Sequence, residues 1–430
     1  MINEKIILQV LLEQKEEVEI LKKRKFIQRK EERLFEFASS LAQVVIGVRR
    51  SGKSTLCHKI LNDKKIRYAY VNFDDDRLAN IKTEDLNNVL SCIYQIYGTD
   101  ISYIFLDEIQ NVDGWYLFVN RLLRINMHLF VTGSNAKLLS GELATHLTGR
   151  YNEIRLYPFS FEEYCLFHNI DTQEMTTKSL ASIKIAFADY INNGGFPEIQ
   201  NLNNKRIYID SLIEAILRKD IQNRFQIRNI EALRKIAHHL INNNCQEINY
   251  KSLSELMNLT DKTVMKYISY LEQAFLIKLI SKYTFKSRER IFNTKSYTID
   301  TGLQSNRGNS LTTENIGWKL ENIVYIELLR RYANRYFDIY YYKQSSKSKE
   351  VDFIVCDKSV PQLLIQVAYD IDNPKTLKRE TSALITSSEQ LKCNNLLLLS
   401  DTESKELNIN GKTIQVKSVI EWLLETPELL

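Results

Sequence analysis

No run of about 18 uninterrupted apolar residues occurs in the 430-residue sequence, so no helix of ordinary membrane-spanning length is expected. The six cysteines (Cys57, Cys92, Cys165, Cys245, Cys356 and Cys393) are scattered, with no Cys-x-x-Cys pair and no histidine at ligand spacing. Neither structural zinc nor a disulfide framework is expected. His238 and His239 are adjacent in a helical stretch, where side chains diverge by about 100° and suit one metal poorly. An excess of one charge is also lacking: 58 Lys and Arg against 53 Asp and Glu leave +5, which does not by itself imply nucleic acid. Glycine is scarce, at 13 of 430 residues. That is about 3% against a usual ~7%, so glycines at a required spacing are unusually informative.

What is present fits a modular protein, with 44% hydrophobic and 26% charged residues. A single core stops growing well below this length, so about three domains are expected. The opening "MINEKIILQVLLEQKEEVEILKKRK" carries glutamates and no continuous apolar core. It reads as an amphipathic helix and not a signal peptide, with a cytoplasmic location as the expectation.

The strongest signal is "VVIGVRRSGKSTL" at 44–56, which fits G-x-x-x-x-G-K-[ST] with Gly47, Gly52, Lys53 and Ser54. A β-branched run precedes it and helical apolar spacing (Leu56, Ile60, Leu61) follows. Glycines let the backbone wrap a phosphate with its N–H groups inward, and the helix N-terminus favours an anion. Lys53 then reaches the β and γ phosphates of ATP and the Ser54 hydroxyl completes a Mg²⁺ shell. Arg49, Arg50, Ser51 and Thr55 complete the candidate nucleotide-binding set. The alternative is a chance match in a basic loop. A second element opposes that alternative: "SYIFLDEIQN" (102–111) is an apolar strand ending in Asp107 and Glu108. Asp107 is the candidate to hold Mg²⁺ through water, and Glu108 to orient or deprotonate the attacking water.

Another strand-like run, "RYAYVNF" (67–73), lies between these two, so the two motif strands are not expected to be neighbours in the sheet. This resembles the additional-strand, catalytic-glutamate branch of P-loop ATPases. A further strand, "HLFVTGSN" (128–135), ends in Thr132, Ser134 and Asn135. These are candidates to sense the γ-phosphate, or else to make a simple strand-to-helix turn. Strands alternating with helices predict a parallel α/β sheet whose ligand sits at the C-terminal strand edge.

The runs "GVRRSGKSTL", "FLDEIQNVDGW", "TGSNAKLLSGELATHLTGRYNEIRLYPFSFEEY" (132–164) and "GGFPE" (194–198) closely resemble the bacterial and archaeal AAA-superfamily ATPases that carry a C-terminal domain of unknown function. The resemblance spans nearly the whole chain. It implies a multidomain α/β protein: an N-terminal helical segment (1–35), a P-loop core (36–158), a helical lid (159–245), a winged helix (246–302) and a nuclease-like domain (303–430). It also makes Arg150 a candidate γ-phosphate contact, against a salt bridge at a strand start. The "GGFP" loop becomes a candidate to close over the nucleotide, against a helix-to-loop break.

Within the middle, "YKSLSELMNLTDKTVMKYISYLEQAFLIKLI" (250–280) has helix-turn-helix spacing, with Thr260 or Asp261 as N-cap. The run "LIKLISKYTFKSRERIFNTKSYTID" (276–300) reads as a strand pair, a wing whose tip holds Lys286, Arg288 and Arg290. In a DNA reader these would meet phosphate while Lys262, Thr263 and Lys266 face the groove. The competing reading is a rigid lever packed on the nucleotide domain.

The stretch 305–317 reads as a linker. After it come helix, three strands, helix and strand, the order of the PD-(D/E)XK nuclease core, which this third resembles. Glu321, Asp352 and Gln366 take the positions such enzymes use for the metal. Ala368 stands where the lysine belongs, leaving Lys378 or Arg379 as possible substitutes. Loss of one electrostatic stabiliser typically costs roughly 10²–10³-fold in rate. A fold inactive or strongly impaired in cleavage and retained for binding is therefore expected. Together the readings indicate a Mg²⁺-dependent ATPase acting as a switch or motor on a nucleic acid or protein partner, with an oligomer possible. The alternatives are an ATP-regulated endonuclease and a nucleotide-binding module with negligible turnover.

Overall fold

A computed structural model describes residues 2–134, 147–173, 176–305, 315–332, 337–344, 349–402 and 404–426. The chain divides into two compact units, Met1–Tyr157 and Pro158–Leu430.

The first unit opens with helix α1 (Glu4–Leu21) and a 3-10 turn (Lys30–Leu34), followed by β1 (Ala42–Ile46), α2 (Lys53–Asp63), β2 (Ala69–Asn72), α3 (Leu86–Tyr97), β3 (Tyr103–Asp107), α4 (Trp115–Arg124), β4 (His128–Gly133) and β5 (Tyr151–Arg155). The strands form one sheet in the order β2-β3-β4-β1-β5, and every pairing is parallel. All strand C-termini therefore share one edge. The two motif strands, β1 and β3, are indeed not neighbours, but the strand between them is β4. The run at 67–73, expected to separate them, is the edge strand β2, because a parallel crossover can place a sequential strand on either side. That edge is closed by a side chain. Gln14, buried in mid-helix on α1, gives its amide to Asn72 O (3.1 Å) and takes Asn72 N–H (3.0 Å), so the backbone polar groups of β2 are paired there.

The second unit begins with α5 (Phe161–Phe167), α6 (Thr177–Asn193) and α7 (Lys205–Ala215). The last runs through a π-helical segment (Ile216–Gln222) into α8 (Asn223–Phe225). Then come α9 (Ile230–Asn242), α10 (Tyr250–Met257), α11 (Asp261–Gln273), β6 (Ile277–Ser281), α12 (Ser287–Phe292), β7 (Thr294–Thr298) and α13 (Gly302–Ser305). Thr260 caps α11 by accepting Thr263 N–H at 3.2 Å, and β6 and β7 pair antiparallel. The tip between them is not a simple strand turn. It folds as the short helix α12, because Glu289 takes Lys286 (3.0 Å) and Lys282 (3.4 Å) while Arg290 donates to Thr284 O (2.9 Å).

The last third comprises α14 (Ile316–Tyr332), β8 (Phe337–Lys343), β9 (Glu350–Asp357), β10 (Val360–Val367), α15 (Pro374–Leu391), β11 (Leu396–Ser400), β12 (Lys405–Ile409), β13 (Lys412–Ser418) and α16 (Val419–Leu424). The six strands lie in the order β12-β13-β11-β10-β9-β8. β9 pairs antiparallel with both β8 and β10, and β10 runs parallel to β11. The helix, three strands, helix and strand read from the sequence are all present. Most of the expected linker falls at 306–314, outside the described residues.

Candidate functional site

At the C-terminal edge of the first sheet, β1 ends in the loop 47–52 and α2 begins at Lys53, so the helix N-terminus faces the loop. Gly47 is required by close approach, since a Cβ there would stand 2.1 Å from Leu156 O. Gly52 (φ 95°) and Arg50 (φ 68°) both adopt left-handed backbone. Arg29, buried outside the motif, supports the loop from below by donating to Ser51 O (3.3 Å) and Tyr157 O (2.6 Å). Ser51 is fully buried and its Oγ has no hydrogen-bond partner among the described residues.

The predicted magnesium residues meet directly. Ser54 Oγ donates to Asp107 Oδ1 at 2.9 Å, Tyr70 donates to Oδ2 at 2.9 Å, and Thr132 Oγ1 also donates to Oδ1. Burial, and then the neighbouring Glu108, push the Asp107 carboxyl above its usual range, while the three hydroxyls pull it back. Glu108 adopts left-handed backbone (φ 53°), a conformation that costs a non-glycine residue of order 1–3 kcal/mol. Its N–H donates to Thr132 Oγ1 (3.2 Å), and its carboxylate accepts from Ser134 N–H (3.3 Å), Ser134 Oγ (3.1 Å) and the Gln110 amide. Lys53 is buried, donates to Val48 O at 3.2 Å and stands 3.9 Å from Glu108. Arg49 lies 3.9 Å from Asp74, and Arg50 and Thr55 are exposed. Asn135 lies outside the described residues.

Beneath this site His58 is packed edge-on against Tyr70 and Phe105, with Nδ1 2.8 Å from the Tyr68 hydroxyl. Burial lowers its pKa to about 4. Sequence reasoning missed Arg29, Tyr70 and Gln110. Their only traces in the sequence are Arg29 in the charged run 29–33 before β1, the second tyrosine of "RYAYVNF" and the glutamine of "DEIQN".

Two further candidates lie apart from the loop in the sequence. Arg150 precedes β5 and its carbonyl accepts Ala42 N–H, which places it at the start of β1. The loop lies past the other end of that strand, five residues or about 16 Å away. Arg150 lines a cavity of about 560 Å³ with Thr83, Asn87, Arg121 and Arg124. The "GGFP" loop is internal to the second unit. Gly195 N–H donates to the buried Asp300 carboxylate (2.7 Å), a Cβ on Gly195 would stand 2.2 Å from Phe159 O, and Phe196 is fully buried. The same carboxylate also accepts Gly302 N–H (2.8 Å).

On α11, Lys262 and Lys266 are exposed and Thr263 is half-buried, its hydroxyl 2.9 Å from that of Thr260. Lys286 is exposed at the hairpin tip beside Phe285, which is 80% exposed, and Arg288 and Arg290 lie on the same short helix α12.

In the last third, Asp352 accepts Val367 N–H at 2.8 Å, and Gln366 donates to Glu380 at 2.7 Å. Glu321 accepts the Tyr297 hydroxyl at 2.7 Å. Lys378 is exposed on α15, and the buried amine of this region comes from elsewhere. It is Lys295 of β7, buried, ion-paired with Glu350 and 3.6 Å from Glu321. Its position is invisible in a sequence pattern that looks only at Ala368, the second residue after Gln366.

Residues 39–165 match the family model of an AAA domain, 184–313 a domain of unknown function (DUF8612) and 317–417 another (DUF4143). An uncharacterized protein of Methanocaldococcus jannaschii is 31% identical over 98% of this chain and 96% of its own length. A second, from Haemophilus influenzae, is 32% identical over 89% and 94%. This chain belongs to their family. Its similarity to solved structures is remote. RuvB, the Holliday junction branch migration motor of Thermotoga maritima, is 16% identical over 55% of this chain and 81% of that one, with a TM-score of 0.28. A signal-transduction ATPase with a tetratricopeptide-repeat sensor from Pyrococcus horikoshii is 18% identical over 72% and 51%, with a TM-score of 0.27. At scores of this size neither carries the argument further. The AAA match supports a P-loop ATPase of AAA type, and among the described residues no helix is long and apolar enough to cross a membrane.

Proposed function

We propose that this protein is a Mg²⁺-dependent ATPase whose nucleotide state is transmitted to the second unit and through it to a nucleic acid or protein partner. The observation that carries this reading is the convergence of Lys53, Ser54, Asp107 and Glu108 at one sheet edge beside a glycine-bounded loop. The donor set fits: Ser54 and Asp107 are hard-oxygen groups for the cation, and the buried Ser51 hydroxyl and the α2 N-terminus suit phosphate. Bound Mg²⁺ supplies charge neutralisation of the phosphates. Lys53 exchanges Val48 O and Glu108 for phosphate oxygen, and Glu108, released from that contact, orients water. Arg150, on the far edge, fits a role towards nucleotide held by a second copy of the chain, which makes an oligomer part of the proposal.

The helix-turn-helix spacing of α10 and α11 and the β6-β7 hairpin support a winged helix, and the exposed Lys262, Lys266, Lys286, Arg288 and Arg290 make it the candidate DNA contact. The last third is read as a nuclease-like fold retained without cleavage. The deciding experiment is steady-state ATP hydrolysis by wild type, Lys53→Ala and Glu108→Gln, with and without single- and double-stranded DNA at two salt concentrations. Turnover lost in both variants supports the ATPase, and equal turnover in all three rejects it. Salt-sensitive stimulation by DNA assigns the partner to nucleic acid, and indifference assigns it to protein. Recovery of turnover on mixing inactive Lys53→Ala with inactive Arg150→Ala would place Arg150 in trans.

A further inference from the structure

Lys295 is an unusual residue in an unusual place. Its side chain is 6% exposed, its ammonium is ion-paired with Glu350 and 3.6 Å from Glu321, and it lies over the Tyr341 ring at 5.3 Å. Asp352 is two residues along β9 from Glu350 and so projects on the same face of the sheet. Continuing the β9-β10 register places Gln366 opposite Asp352. Gln366 is 5% exposed, gives its amide N–H to Glu380 and leaves its carbonyl oxygen buried with no hydrogen-bond partner among the described residues. Two glutamates, an aspartate and an orphaned carbonyl oxygen are the ligand types of a hard divalent cation. Yet no group of three or more His, Cys, Asp or Glu among the described residues is placed to hold a metal.

We propose that the Lys295 ammonium is the resident cation of this pocket, inserted from β7 in the place a divalent metal would take among Glu321, Glu350, Asp352 and Gln366. This rests on the second unit alone and stands or falls apart from the ATPase reading. A catalytic amine would have to touch a substrate phosphate, whereas this one is covered by Tyr341 and engaged by carboxylates. The neighbouring bonds make the same joint. Tyr297, two residues on along β7, donates to Glu321, Tyr325 of α14 donates to Leu279 O of β6 (3.0 Å), and Tyr283 N–H donates to Tyr341 O of β8 (2.7 Å). The pocket thereby fastens the β6-β7 hairpin to α14 and the six-stranded sheet, and leaves that sheet without a metal.

The test is thermal melting of the nucleotide-free full chain with and without Mn²⁺. Wild type is expected to show no Mn²⁺-dependent shift that Asp352→Asn removes. Lys295→Met is expected to melt lower and to be raised again by Mn²⁺, and Lys295→Met/Asp352→Asn to lose that rescue. Lys295→Met/Glu350→Gln is expected to regain melting temperature without metal, and it keeps the test open should the single variant fail to fold. An Asp352-dependent Mn²⁺ shift in wild type, or Mn²⁺-dependent phosphodiester cleavage abolished by Asp352→Asn, overturns the proposal. So does a folded Lys295→Met that Mn²⁺ leaves unchanged.

Discussion

Two buried lysine-carboxylate clusters among the described residues, around Lys53 and Lys295, differ in what each leaves unfinished. Around Lys53 the ammonium rests on a backbone carbonyl and stands 3.9 Å from Glu108, beside a loop with an orphaned serine hydroxyl and a strained glutamate. Around Lys295 the ammonium is ion-paired with one glutamate and within 3.6 Å of another, the second of which also holds a tyrosine hydroxyl. The first arrangement has contacts to exchange for an incoming anion, and strain persists at such sites because the surroundings over-determine it. The second resembles a finished joint. Buried lysine is therefore no sign of catalysis by itself; the identity of its partners separates a site from a fastening.

The comparison breaks first, and by the largest margin, on activity. Glu108→Gln is expected to lower ATP turnover by about 10²–10⁴-fold with nucleotide binding retained, the usual contribution of a positioned general base. Asp352→Asn, the corresponding loss in the other cluster, is expected to leave basal ATP turnover within about twofold. Single-turnover hydrolysis with a parallel nucleotide-binding titration measures both. Comparable losses in the two variants would erase the distinction.

Next in size are changes of about 3 kcal/mol driven by pH, and they run in opposite directions in the two units. His58 has a folded pKa lowered to about 4 by burial. As pH falls from 6.5 towards 4 the unfolded chain binds a proton the folded one refuses, so this group withdraws about 3 kcal/mol from the first unit. Asp300 has a folded pKa raised to about 6, again by burial, against the pull of two backbone N–H groups and Arg330. Here the folded chain holds the extra proton, so its contribution is full below about pH 4 and is lost, by about 3 kcal/mol, as pH rises through 6. His58→Phe, which keeps a ring against Tyr70 and Phe105, is expected to flatten the acid loss of the first unit. Asp300→Asn is expected to remove the opposite slope from the second. Segment-resolved hydrogen exchange at pH 4.5 and 6.5 reads the two units separately, and slopes unchanged by either substitution would refute the assignment.

The phosphate loop and the Asp107-Glu108 strand end were legible in the sequence because their chemistry is local. A cradle needs glycine and lysine at fixed offsets, and a strand announces its own end. Strand order was not, since nothing in 67–73 tells that β2 goes to the edge while β4, sixty residues later, fills the gap. The place of Arg150 was not legible because a motif gives a residue type without a direction. Only the parallel register of β1 and β5 puts it at the far edge. Lys295 was missed for the converse reason. It lies 26 positions before Glu321 and 55 before Glu350, so no spacing rule connects an amine that arrives through space from another sheet.

The smallest effect sharpens the comparison most directly, by removing the same atom from both clusters. Tyr297→Phe takes from Glu321 its hydroxyl donor and leaves the 3.6 Å contact with Lys295 beside it. A hydrogen bond to a charged group is worth about 1.5–3 kcal/mol, and that full range is expected as lost stability. Tyr70→Phe takes one of three hydroxyl donors from Asp107, whose Ser54 and Thr132 bonds remain. Its loss should lie at or below about 1.5 kcal/mol. Chemical denaturation of the two variants decides the order. If Tyr70→Phe proves the more costly, the first cluster is as closed as the second, and the contrast between an exchangeable site and a finished joint fails.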